Sequence, residues 1–175
     1  MQMQTTPTPL LTANREFERL SSGHVYVATV EDLIASGILA EVEAEVRTRH
    51  PRVTKNRFDA REYDAAGGHF ALAKTAVEIF GCGAFRPLGT QTVTIEYLFV
   101  RQAHQRRGVG RRILQMLGDE ARRRGYIRAV FETAQYQPEA IGLVQSSGYS
   151  KIDRLHPNDG NTGSVCFGKS FSVYR

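Results

Sequence analysis

The feature that most constrains the fold is an apolar segment followed directly by a basic glycine turn and a helical pattern. Residues 92–100, TVTIEYLFV, are rich in β-branched and aromatic side chains and predict the strongest strand of the chain. The turn QRRGVGRRIL begins at Gln105. A helix is predicted from Arg111, because four apolar residues share one face: Ile113, Leu114, Leu117 and Ala121. A strand, a turn and a helix in immediate succession predict helices packed on a sheet.

The rest of the chain alternates predicted strands and helices. One continuous helix is predicted over residues 31–50, where apolar residues recur every four positions up to Pro51. A second short helix is placed within residues 52–68, and a third helix begins at Pro138. Further strands are predicted at residues 24–30, 126–134, 149–155 and 164–174, and on both sides of a tight turn near residues 74–77. This order predicts an α/β or α+β domain whose sheet is covered by helices.

Length, composition and cysteine content narrow the class of protein. The chain has 175 residues and a net charge of +5, which suits one domain over residues 23–175 after a mobile polar leader at 1–22. No apolar run reaches the length of a membrane span. The two cysteines have no metal-ligand or disulfide spacing, which indicates a reduced, cytoplasmic compartment and no metal. The arginines concentrated between residues 101 and 128 predict a polyanionic ligand.

The QRRGVGRRIL turn has two interpretations on its own residues. The first turn of a helix leaves backbone N–H groups without partners, and Gly108 and Gly110 would let a phosphate approach them closely. The alternative is a simple bend before a solvated basic helix. The turn lacks the lysine of a Walker loop, and no dinucleotide fingerprint follows the first strand.

Several segments in the same order resemble the GNAT superfamily of N-acetyltransferases. The turn, Gln105-Arg106-Arg107-Gly108-Val109-Gly110, matches the family's acetyl-CoA-binding motif, Q/R-x-x-G-x-G/A after a central strand. GCGAFRPL, FETAQYQPEAIGLVQSSGYSKI and SVCFGKSF resemble the neighbouring strands and helix of the family. The resemblance covers about residues 24–171. It implies a mixed, mostly antiparallel sheet of about seven strands, splayed at the middle and flanked by about four helices.

The resemblance also implies where acetyl-CoA binds as co-substrate. Backbone amides of the turn would hold the pyrophosphate, and these residues are Gln105, Arg106, Arg107, Gly108, Val109, Gly110 and Arg111. The end of the preceding strand would pair with the pantetheine arm through Leu98, Phe99 and Val100. Gln137 stands at the start of the helix that would flank the other side of the cofactor.

The expected reaction is acetylation of a primary amine, which needs a group that removes a proton from the ammonium. Glu96 on the central strand is the first candidate, and strand alternation predicts that it shares a face with Leu98, opposite Tyr97 and Phe99. The alternative is a glutamate held in a salt bridge. In the family, a bulge near the end of this strand splays two parallel strands, and a backbone N–H of Phe99 or Val100 at the bulge would stabilise the oxyanion.

The proton donor for the leaving thiolate is the least defined part of the predicted mechanism. The family often has a tyrosine where this chain has Val144. Tyr149 and Tyr136 are nearby in the sequence and are candidate substitutes, although Tyr149 also suits core packing. Water is a third option, because a thiol with a pKa of about 8.5 leaves without an assigned acid.

The acceptor is a small-molecule or peptide amine that the sequence does not identify. In the family, the first helices and the loop before the last strand shape the acceptor site. Here those segments carry several arginines, which hint at a carboxylate-bearing acceptor: Arg47, Arg49, Arg52, Arg57 and Arg61. Histidines in the same loops, His50 and His156, are further candidates for contacts. The alternatives are coenzyme A binding without catalysis and, with less support, nucleic-acid binding; a homodimer is compatible with the sequence.

Overall fold

A seven-stranded sheet lies at the centre of the structure, which is a computed structural model. The strands are β1 His24–Ala28, β2 His69–Lys74, β3 Ile79–Pro87, β4 Thr92–Val100, β5 Arg128–Ala134, β6 Ser150–Ile152 and β7 Ser164–Ser170. They lie side by side in the order β1-β2-β3-β4-β5-β7-β6. β4 and β5 are parallel, and the other neighbouring pairs are antiparallel. The predicted mixed, mostly antiparallel sheet is confirmed.

The structure describes residues 23–49, 58–153 and 163–171, without the side chain of Arg49. The leader predicted at residues 1–22 lies outside these ranges. Within them, no helix has both the length and the apolar character needed to cross a membrane.

The described ranges contain five α-helices, one more than the expected number of about four. They are α1 Val30–Ser36, α2 Ile38–Arg49, α3 Ala60–Ala65, α4 Val109–Arg123 and α5 Pro138–Ser146. The difference arises at Gly37, which adopts a left-handed conformation with φ 67° and ends α1. The single helix predicted over residues 31–50 is therefore wrong, because Gly37 divides it into α1 and α2.

The helices cover both faces of the sheet. On the face covered by α4 and α5, called the α4 face, Ile113 and Leu117 pack with Phe85 and Val93 in the larger core cluster. The opposite face, called the α1 face, is covered by α1, α2 and α3. Its core cluster includes Leu33, Ile38, Tyr63, Phe70 and Leu72. The sheet therefore separates two apolar layers, as expected for a domain of this class.

The sheet opens between its two parallel central strands. Residues 92–95 of β4 pair with residues 128–131 of β5, and the paired register ends at Ile95 and Phe131. Beyond this point both strands continue, to Val100 and Ala134, without pairing to each other. The splay predicted for the middle of the sheet lies here, and the candidate site is built around it.

Candidate active site

The turn after β4 leads into a helix whose first N–H groups have no side-chain cap. Gly108 is the N-cap of α4 in a left-handed conformation with φ 75°, and α4 begins at Val109, two residues before the predicted start. A Cβ atom added to Gly108 would meet nothing within 4 Å, so the space beside the helix start is open. Arg106 also has a positive φ, 59°. Left-handed residues in such a turn help to form backbone concavities that bind anions.

The two glycines of the turn have different physical roles. Gly108 supplies the backbone conformation, whereas Gly110 allows close packing between helices. A Cβ on Gly110 would lie 3.1 Å from Cδ2 of Leu143 in α5. Val109 between them is buried in the core of the α4 face. The motif therefore combines an open helix start with a fixed contact between α4 and α5.

The polar side chains of the turn hold it to neighbouring elements. Gln105 Nε2 donates to the carbonyl of Val100 at 2.8 Å, at the end of β4. Arg111 Nη2 donates to Ser146 Oγ at 3.0 Å, which connects α4 to the end of α5. Arg106 and Arg107 are exposed beside the helix start. The turn is thus preorganised and carries positive charge at its surface.

An ion-pair network missed by the sequence analysis connects the turn to α2. Arg101 donates to both carboxylate oxygens of Glu41, at 2.9 and 2.6 Å, and to Glu78 at 3.1 Å. A ring nitrogen of His104 lies 3.0 Å from the second Glu78 oxygen, and the ring stacks on Phe80 at 4.1 Å. The hydrogen bonds with Arg101 lower the pKa of Glu41, so this carboxylate remains charged. The partners are distant in sequence, and no local pattern identifies them.

A bulge in β4 lies at the opening of the sheet. Along β3, Cys82 faces Phe99 and Ala84 faces Glu96, so β4 has one extra residue between these pairs. Tyr97 takes up the extra length with a φ of 55°. The Cys82 thiol donates to the Tyr97 carbonyl at 3.6 Å, and burial raises the pKa of Cys82 to about 12. This thiol stabilises the bulge and remains protonated at neutral pH.

The bulge changes the predicted direction of the side chains. Leu98 packs with the core of the α4 face, whereas Tyr97 and Phe99 pack with the core of the α1 face. Glu96 contacts Tyr63, which also belongs to the α1 face. The prediction that Glu96 shares a face with Leu98 is therefore wrong, because the extra residue interrupts the strand alternation.

Two side chains from other elements hold the Glu96 carboxylate. Arg86 Nε donates to Glu96 Oε2 and Nη2 donates to Oε1, both at 3.1 Å. The Tyr63 hydroxyl donates to Oε2 at 3.1 Å. Burial, followed by the nearby negative charge of Glu96, raises the pKa of Tyr63 well above its usual range, so its hydroxyl remains a donor. Glu96 therefore forms the salt bridge that was the alternative to a catalytic role, and its side chain is 26% exposed.

Aromatic rings lie beside Glu96 on the α1 face. The Phe58 ring is 4.4 Å from the Tyr97 ring, and the Tyr63 ring is 5.8 Å from the Tyr97 ring, between centroids. A narrow apolar pocket opens next to them, lined by Leu33, Leu39, Phe58, Phe70, Cys82, Gly83, Ala84 and Tyr97. This recess is about the size of one water molecule, so in this conformation it has no room for the carbon chain of a ligand.

Several residues predicted for the acceptor site are elsewhere or are not described. Arg61 Nη1 pairs with Glu31 at 3.3 Å on the surface, and Arg47 is exposed on α2. The side chain of Arg49 and residues His50, Arg52, Arg57 and His156 lie outside the described residues.

The residues expected on the α5 side differ in burial. Gln137 is the N-cap residue of α5, and its Oε1 accepts a hydrogen bond from Thr133 Oγ1 at 2.7 Å. Val144 is fully buried, and Tyr149 is 4% exposed in the core of the α4 face. Burial raises the pKa of Tyr149, which favours packing over proton donation. Tyr136 is 62% exposed between β5 and α5.

The fold, with its open sheet and uncapped helix start, can be compared with solved structures of other proteins. The solved structure of yncA from Salmonella typhimurium, with its cofactor acetyl-CoA, superimposes with a TM-score of 0.69 at 19% identity. This match covers 87% of the present chain and 96% of that chain, and it establishes the shared fold.

The sequence comparisons place the chain in one family. Residues 36–149 match the family model described as the acetyltransferase (GNAT) family, and the chain belongs to this family. Acetyltransferase Atu2258 of Agrobacterium fabrum is 28% identical over 68% of this chain and 85% of its own length. YsnE of Bacillus subtilis, named as an uncharacterized N-acetyltransferase, is 37% identical over 41% of this chain and 49% of its own length. The chain therefore spans about half of that relative.

Proposed function

We propose that this protein transfers the acetyl group of acetyl-CoA to a primary amine of a small molecule, amino acid or peptide, by direct attack in a ternary complex. The observation that carries the proposal is the open, uncapped start of α4, placed where β4 and β5 separate beside Glu96. Membership of the acetyltransferase family supports it.

The residues around the turn fit coenzyme A. The proposed pyrophosphate site consists of backbone N–H groups of the turn and the first turn of α4: Gln105, Arg106, Arg107, Gly108, Val109, Gly110 and Arg111. Beyond Ile95, β4 has an edge that does not pair with β5, and Leu98, Phe99 and Val100 offer it to the amide groups of the pantetheine arm. Gln137 at the start of α5 is the proposed contact on the other side of the gap.

The proposed reaction forms a C–N bond to the acceptor amine and breaks the C–S bond of the thioester. Glu96 takes the amine proton, directly or through a water molecule. A backbone N–H of Phe99 or Val100 stabilises the oxyanion at the bulge. The thiolate then takes up a proton from water, since Val144 provides no donor and Tyr149 is enclosed in the core. The role of Tyr149 as an acid remains a prediction with less support than water.

The role of Glu96 can be tested by thiol release from acetyl-CoA with a panel of amines. Glu96→Gln keeps the size of the side chain and its contact with Tyr63 but cannot accept the amine proton, so turnover should fall about 10²- to 10⁴-fold. Glu62→Gln is the matched control, because it removes the same charge from an exposed position at the start of α3. Equal turnover of the two variants would contradict the assignment of Glu96 as the base.

Coenzyme A binding without catalysis is the second candidate function. The contact of Arg86 with both oxygens of Glu96, together with Val144 in place of the family tyrosine, favours this alternative. Binding of acetyl-CoA without thiol release from any amine would support it. Nucleic-acid binding has less support, because Arg123 and Arg124 near the end of α4 pair with Glu120.

A further inference from the structure

Arg86 occupies an unusual position on β3. The residues from Phe80 to Phe85 on this strand are buried, whereas the side chain of Arg86 is 45% exposed. Ala84 faces Glu96 across the β3–β4 pair, and Arg86 faces Thr94, two pairs further from the bulge. Arg86 therefore lies on the α1 face, on the side of Glu96 that points away from the opening of the sheet.

The guanidinium of Arg86 has a second edge that none of the described residues uses. Nε and one N–H of Nη2 hold Glu96, which accounts for two of its five donors. Among the described residues, no other acceptor forms a hydrogen bond with this guanidinium. The outer edge, formed by Nη1 and the second N–H of Nη2, has the spacing that binds a carboxylate through two parallel hydrogen bonds. The hydrogen bonds to Glu96 raise the pKa of Arg86, so the group remains charged.

The charges around Glu96 also favour such a ligand. The positive charge of Arg86 offsets the negative charge of Glu96, so an acceptor that carries only an ammonium group meets no net attraction here. An acceptor that also carries a carboxylate can place it on Arg86 and its amine at Glu96. The acceptor carboxylate then shares the guanidinium with Glu96, which weakens the hydrogen bonds from Arg86 to the proposed base.

We propose that the outer edge of Arg86 binds a carboxylate of the acceptor, so that the acceptor is an amino acid or another amine with a carboxylate close to the reacting nitrogen. This inference rests on the proposed acetyltransferase function. It replaces Arg61 as the source of the carboxylate preference, because Arg61 is engaged by Glu31 at the surface.

The test compares matched acceptors that differ only in the carboxylate. Thiol release is measured with the standard amino acids, their primary amides and their decarboxylated amines, in the presence of acetyl-CoA. For the best amino acid, kcat/KM should exceed that of its amide by about tenfold or more, which is the usual effect of a hydrogen bond to a charged group. Arg86→Gln should abolish this preference, mainly by raising the KM for the amino acid. The kcat/KM for the amide should fall less. Arg86→Lys should restore part of it.

Arg61→Gln is the matched control and should keep the preference for the free acid. The inference is overturned if wild-type protein uses amides or decarboxylated amines as well as the acids. It is also overturned if Arg86→Gln slows all acceptors equally, since Arg86 would then only position Glu96. Thiol release with none of the amines would contradict the proposed acetyltransferase function as well. Release with amines that lack a carboxylate would contradict only the role of Arg86.

Discussion

At the scale of single residues, the candidate site depends on how one carboxylate is held. Glu96 receives hydrogen bonds from α3 through Tyr63 and from β3 through Arg86. These contacts fix the direction of its two oxygens beside the bulge, where an amine would have to approach the thioester. Preorganisation of this kind is what a general base needs, because its geometry must be set before the proton moves.

Replacing Tyr63 by Phe removes one of these hydrogen bonds and keeps the ring. We expect kcat to fall about threefold to tenfold, corresponding to the typical 0.5–1.5 kcal/mol of a single hydrogen bond. The ring contacts with Phe58 and Tyr97 remain, so the thermal midpoint should change little. Tyr126→Phe is the control, since its ring packs on Phe85 on the opposite face. An unchanged kcat for Tyr63→Phe, measured by thiol release, would show that Glu96 does not need this donor.

The sequence identified some of these residues and not others, for a physical reason. Glu96 and Gly108 stand in or next to local patterns, a strand and a glycine turn, that can be recognised without tertiary structure. Tyr63 is 33 residues from Glu96 and Arg86 is 10 residues away, and only the packing of α3 and the pairing of β3 with β4 bring them together. Arg61, which the sequence suggested for an acceptor carboxylate, pairs with Glu31 in the structure.

At the scale of secondary structure elements, glycines with positive φ decide where two helices begin or end. Gly37 ends α1 with φ 67°, and Gly108 precedes α4 with φ 75°. The apolar period continues across Gly37, which is why the sequence predicted one helix there. The break also moves the buried face, because α1 buries Leu33 and leaves Ile34 44% exposed, so the period across Gly37 predicts neither the break nor the core face of α1.

Gly37→Ala should therefore destabilise the protein through its backbone alone. A Cβ at this position would meet nothing within 4 Å, so no steric contact is added. The left-handed conformation costs alanine about 1–2 kcal/mol, and the thermal midpoint should fall by about 2–8 °C for a chain of this size. Gly37→Asn is the matched control, because asparagine tolerates this conformation and should lie close to wild type. Equal thermal midpoints for the Ala variant and wild type would contradict this account of the helix break.

The family resemblance implies a bulge in β4 near the segment that would meet the cofactor, and the structure gives its position at Tyr97. The strand itself was placed at residues 92–100 and is observed as Thr92–Val100. The alternation of its side chains between the two faces is interrupted at Tyr97 by the extra residue. The extra residue can be located only from the pairing with β3, which depends on tertiary structure. As a result, Glu96, Tyr97 and Phe99 lie on one face, and Glu96, the proposed base, is next to the small apolar recess.

At the scale of the whole molecule, the proposed function depends on the opening of a sheet beside a helix start. The crossover through α4 makes β4 and β5 parallel neighbours, and the bulge lies just beyond their last paired residues. The order of elements and the family resemblance were sufficient to predict this architecture, as the family match confirms. They could not predict the network of Arg101, Glu41 and Glu78 that connects α2 to the turn, because its partners have no local spacing.

The central claim is that the turn before α4 binds acetyl-CoA, and its most direct test is calorimetric titration of wild type, Gly108→Asn and Gly108→Asp. Both substitutions are tolerated better than most at a left-handed position, and both have open space, so they differ mainly in charge. Wild type should bind and be stabilised by about 2.7 kcal/mol at a ligand concentration a hundredfold above Kd. Gly108→Asn should retain binding, and Gly108→Asp should lose it because a carboxylate occupies the phosphate position. Absence of wild-type binding at millimolar acetyl-CoA, or equal binding by the two variants, would contradict the account.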